Sequence, residues 1–80
     1  MKAHELEGRL ALVMVPVETG VQEVLGTVMP PMMLTETGEV THATVTGMVL
    51  TETVHGLPIP VVIEEPVELE MWPVTAIELM

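Results

Sequence analysis

The 80-residue chain contains no Cys, Ser, Asp, Asn, Phe or Tyr, and only two basic side chains, Lys2 and Arg9. Each absence removes a class of chemistry. Without Cys there is no disulfide framework, no thiolate nucleophile and no Cys-ligated zinc. Without Ser, a covalent mechanism is left with Thr, and no base stands identifiably beside one. Two cations against 12 Glu give a formal net charge of −10, and neither a basic patch nor a Gly-rich phosphate loop is present, which argues against direct nucleic-acid binding. Long apolar runs are missing as well. No stretch approaches the roughly 18 uninterrupted apolar residues of a membrane span. Lys2, His4, Glu5 and Glu7 stand where a signal peptide would carry its apolar run, so no secretory leader is expected.

What remains is a β vocabulary: 14 Val, 10 Thr and 8 Met, with Trp72 as the one aromatic. The chain is 49% apolar with a mean hydropathy of +0.55, too hydrophobic for intrinsic disorder. Val and Thr suit a pleated surface, and Met fills the gaps that rings would otherwise occupy. A chain this short forms one domain, residues 1–80, with a thin core that a partner subunit can help to stabilise.

The segment Leu6 to Val17 reads as a strand, with Leu6, Leu10, Leu12 and Met14 on one face and Glu7, Arg9, Ala11, Val13 and Val15 on the other, more buried toward its C-terminal half. Residues 20–29 stand open between a strand and one short helix. Val21, Val24, Leu25 and Val28 have helical spacing and Thr19 with Gln22 has the form of a capping box, whereas the β-branched content and Gly26 favour a strand. Pro30 and Pro31 end either element. In Met33 to His42, Gly38 suits the left-handed position of a three-residue hairpin loop, pairing Met33–Thr35 with Glu39–Thr41. Val40 to His55 is long for one strand, and a bend or bulge is expected near Gly47.

The repeated Leu-Thr-Glu-Thr, at 34–37 and 50–53, therefore straddles a turn in its first copy and lies in a strand in its second, so the copies are not equivalent sites. From Val61 to Met71, apolar Val61, Ile63, Val67, Leu69 and Met71 alternate against Glu64, Glu68 and Glu70, a half-buried strand with an acidic outer face. Pro66 places it at a sheet edge or a bulge. The tail from Pro73 reads as a short strand or a helical turn, packed down at its end. The expected fold is all-β: a small antiparallel sandwich or partly open barrel of about five to six strands.

His4, His42 and His55 match no metal-ligand spacing, the clustered carboxylates are explained by a solvated strand face, and no cofactor motif is present, so neither metal, cofactor nor enzymatic activity is expected. Met29, Met32, Met33, Leu34, Met71, Trp72, Ile77 and Leu79 form the candidate interface, since large flexible or aromatic side chains with few charges suit an interface centre; for Trp72 a place in the core is the competing reading. Glu64, Glu68 and Glu70 form the candidate acidic surface. Together these point to a structural or assembly protein that oligomerises or decorates a larger protein assembly such as a virion or shell, in the cytoplasm or the virion. The alternative is an acidic binding module or inhibitor that occupies a basic site of a partner protein.

Overall fold

The computed structural model describes residues 1–18, 20–60 and 66–80. Among the described residues one short helix, α1 (Ala3–Leu6), is followed by six strands: β1 (Leu10–Val17), β2 (Gly20–Leu34), β3 (Val40–Val54), β4 (Leu57–Pro60), β5 (Val67–Pro73) and, after a 3-10 turn at Val74–Ala76, β6 (Ile77–Leu79). The all-β expectation holds. All pairings are antiparallel in one sheet of order β4-β3-β2-β1-β6, and β5 lies on the same side of β3 as β4. The 3-10 turn carries the chain from the β3 side of the sheet to its β1 side, so the sheet curls into a partly open barrel. The tail is thus a helical turn and a strand in succession. The sandwich alternative is not realised, because no second sheet forms among the described residues.

The curl has a local cause. Gly26 and Gly47 stand opposite each other in β2 and β3, and a Cβ on either would overlap the backbone of the other strand. Their missing side chains allow the strands to approach where the sheet folds over. Three register shifts of β2 against β3 add to the bend, one at Leu50, one at Thr41 and one at the cis Pro30–Pro31 pair, where the buried Thr44 hydroxyl donates to the Pro31 carbonyl at 3.0 Å. The bulge expected near Gly47 falls at Leu50.

Residues 20–29 belong to β2, and the short-helix reading is corrected. β2 pairs with β1 and β3 along this stretch, and that pairing outweighs a helical spacing built on Val and Gly, which are poor helix formers. Thr19 lies outside the described residues. The hairpin turn at Thr35–Gly38 forms as expected, with Gly38 at φ 84 and its N–H donating to the Thr35 carbonyl at 3.0 Å.

The expected strand from Leu6 begins instead at Leu10. Leu6 closes α1, whose Lys2 N–H is capped by Glu5 Oε1 at 2.9 Å, and Gly8 at φ 83 turns the chain into β1. Burial also differs from expectation. It is greatest in the N-terminal half of β1, where Ala11 and Val13 are fully enclosed, because β6 and α1 pack there. The core is small: Leu6, Ala11, Val13, Val28, Val40, Ala43 and Val45 form its cluster. It occupies one end of an elongated body of 42 × 21 × 19 Å, whose radius of gyration, 13.2 Å, exceeds the roughly 12 Å typical of a chain this long. The other end is an arm made by the outer halves of β1, β2 and β3 with β4. No helix among the described residues is long and apolar enough to cross a membrane.

Candidate functional site

β1 reads Leu-Ala-Leu-Val-Met-Val, apolar at both parities. Its odd positions face the core. Its even positions, Leu10, Leu12 and Met14, face outward, and Leu12 stands in register with Leu25 of β2, which is paired in turn with Met48 of β3. Leu10 is 47% exposed, Met14 51% and Met48 38%. A strand with apolar residues on both faces is the pattern of a sheet covered on both sides, yet among the described residues no second layer lies over this outer face. Sequence reasoning missed this surface, although its signal was present in the lack of polar alternation along residues 10–15. Beside it runs an open groove of about 390 Å³, lined by Leu12, Met14, Thr75, Ala76, Ile77 and Glu78.

The sheet edges have a different character. Leu10 C=O accepts from Met80 N–H at 2.9 Å, so even residues of β1 aim their backbone groups toward β6. β6 reaches only as far as Val13, which leaves Pro16, without a donor, on the uncovered stretch. β4 joins β3 through a two-residue turn, His55–Gly56, with positive φ at both residues (52° and 79°), as a type I′ turn requires. That geometry points Leu57 and Ile59 at β3 and turns Pro58 and Pro60 to the free side. Pro66 and Pro73 bracket β5 in the same manner. β6 carries no proline of its own.

The residues expected at an interface divide into two groups. Met29, Met33 and Leu34 are exposed near the Pro30–Pro31 bulge, 42%, 49% and 54% respectively. Met32, Trp72, Ile77 and Leu79 are half-buried against the core cluster. Met32 and Trp72 flank Ala43 in register, one from β2 and one from β5, and cover its small side chain. Met71 has φ 54°, which interrupts the alternation of β5, so that Trp72 takes the inward position that parity assigned to Met71. Trp72 Nε1 is buried with no hydrogen-bond partner.

Of the expected acidic surface, Glu68 and Glu70 are exposed on β5, while Glu64 lies outside the described residues, as do Val61, Ile63 and Glu65. Both cations are engaged within the chain. Lys2 Nζ meets the Glu39 carboxylate and the Thr37 carbonyl, and Arg9 Nη2 donates to the Met80 carbonyl at 3.5 Å. The N-terminal ammonium also sits on Glu39, and its hydrogen bond, aided by Lys2, holds that carboxyl below the usual glutamate range. His4, His42 and His55 sit on α1, β3 and the β3–β4 turn. Among the described residues no three His, Cys, Asp or Glu side chains converge as a metal site. No protein-family model, curated protein or solved structure matches the chain.

Proposed function

We propose that this chain is a non-enzymatic structural or assembly protein, a small acidic β domain that oligomerises or decorates a larger protein assembly such as a virion or shell, in the cytoplasm or within the particle. The observation that carries this reading is the doubly apolar β1, whose outward Leu10, Leu12 and Met14 continue into Leu25 and Met48 without a covering layer among the described residues. A thin core supports the same reading, since no aromatic residue other than a half-buried Trp72 contributes to it. Met29, Met33 and Leu34 provide a second exposed apolar cluster at the Pro-rich bulge.

The alternative, an acidic module that occupies a basic site on another protein, draws on the exposed Glu68 and Glu70 and on the internal engagement of both cations. Native mass measurement and sedimentation of the protein recovered with its physiological partners test the two together. A defined oligomer or particle supports assembly. A single tight complex that dissociates in salt supports the acidic module, and a stable monomer without affinity for any protein refutes both.

A further inference from the structure

We propose that the outer face around the β1–β6 groove receives an apolar side chain carried on a basic segment of a different protein, rather than a second copy of this chain. The inference rests on the assembly reading and names the partner chemistry for one surface. Leu12, Met14 and Ala76 form the apolar part of the groove lining beside the polar Thr75 and Glu78, and its opening leads onto the Leu10–Leu12–Leu25–Met48 surface. The charged groups around it are carboxylates. Glu78 lines the groove and Glu23 stands beside Met14 in register, while Glu68, in register with Thr46, lies farther off across β2 and β3. No Lys or Arg lines the groove, and the nearest cation in sequence, Arg9, is turned to the Met80 carbonyl. An apolar centre with a rim of one sign is complementary to a partner of opposite sign.

Charge decides against self-association here. Each copy carries a net charge of −10. Bringing two such acidic rims together opposes the association that the apolar centre favours. A basic segment meets the same centre with attraction at its rim, and it need not bury a matching flat face.

The test is an NMR titration of the isotopically labelled full chain with a synthetic peptide of Leu and Lys, about 12 residues long, and with its Leu and Glu counterpart. Saturable shifts centred on Leu10–Met14, Leu25, Met48 and Thr75–Glu78 with the Lys peptide alone are the expected result. Met14→Glu should weaken binding roughly tenfold, and raising salt from about 50 to about 500 mM should weaken it severalfold. Met14 is half exposed, so this variant keeps the fold; Met48→Glu, on the same face, provides the second reading. Equal binding of both peptides, shifts confined to Glu68, Glu70 or the Thr35–Gly38 turn, or a doubling of mass that Met14→Glu abolishes would each overturn the inference. The first two leave the assembly reading standing, because native mass tests that separately. The third supports assembly while replacing the basic partner with a second copy.

Discussion

Replacing Gly47 by Ala is a severe test of how the sheet curls. The added methyl would overlap the Leu25 carbonyl and the Gly26 Cα, all backbone atoms of β2, so no flexible side chain can move aside to relieve it. Overpacking costs about 1–3 kcal/mol where side chains can adjust, and obstruction by backbone puts this substitution at the upper end, about 3 kcal/mol. A domain of this size holds roughly 4–12 kcal/mol in total, and each kcal/mol moves its Tm by about 4–8 °C. The expected loss in Tm is therefore about 12–24 °C by circular dichroism. Gly8→Ala is the control, since its φ of 83 is strained for Ala but nothing lies within 4 Å of the new methyl. That change should cost about 1 kcal/mol, or about 4–8 °C. The double variant Gly26→Ala with Gly47→Ala should lose less than the two single losses combined, because both methyls push the same two strands apart. If Gly47→Ala melts at or above Gly8→Ala, the close approach of β2 and β3 is not what shapes the barrel.

Leu6→Ala should cost about 2–5 kcal/mol, because Leu6 is 1% exposed and is the contact through which α1 closes the core; chemical denaturation would show it. Trp72→Ala should cost about 3–5 kcal/mol and lower the melting temperature at unchanged oligomeric state, whereas Met33→Ala, on an exposed side chain, should stay within about 0.5 kcal/mol. The Glu39 carboxyl is depressed in the folded chain, so its contribution is present above the unfolded glutamate pKa and is lost as pH falls through the lower folded value. Glu39→Gln should therefore melt below the parent at neutral pH, with the gap closing under acid; a gap unchanged across that range would refute the assignment.

Strand content and turn chemistry were legible because they are local. Gly38 after Glu36 and Thr37 specifies its hairpin whatever surrounds it, and the Val and Thr runs specify β2 and β3. The four residues of α1 were not legible, since a helix so short exists only because Leu6 finds the open end of a barrel formed by strands distant in sequence. Met71 failed for a related reason. Period-two reading assumes unbroken pleat, and one positive φ shifts Trp72 onto the inner face. The candidate site was legible in kind, with exposed methionines near prolines, but its most extensive outer face was hidden. β1 is apolar at both parities, and only a sheet topology decides which parity meets the core.

The distribution of proline connects the fold to the way this protein can associate. An open curled sheet presents unpaired backbone groups, and edge-to-edge pairing would extend it without limit. Pro16 on β1, Pro58 and Pro60 on β4, and Pro66 and Pro73 around β5 withdraw donors from the edges that such pairing would use. β6 lacks this protection but has only three residues, too few for a stable ladder on its own. Association through faces is then favoured over association through edges. Restoring donors at the β4 edge separates the two routes: Pro58→Thr with Pro60→Thr should leave the β3–β4 pairing intact, because those positions point away from β3. The double variant should also acquire concentration-dependent growth, in sedimentation, of species larger than those the parent forms at the same concentrations. If it stays the same size as the parent at every concentration, the prolines are not what keeps this edge unpaired, and the preference for faces loses its structural basis.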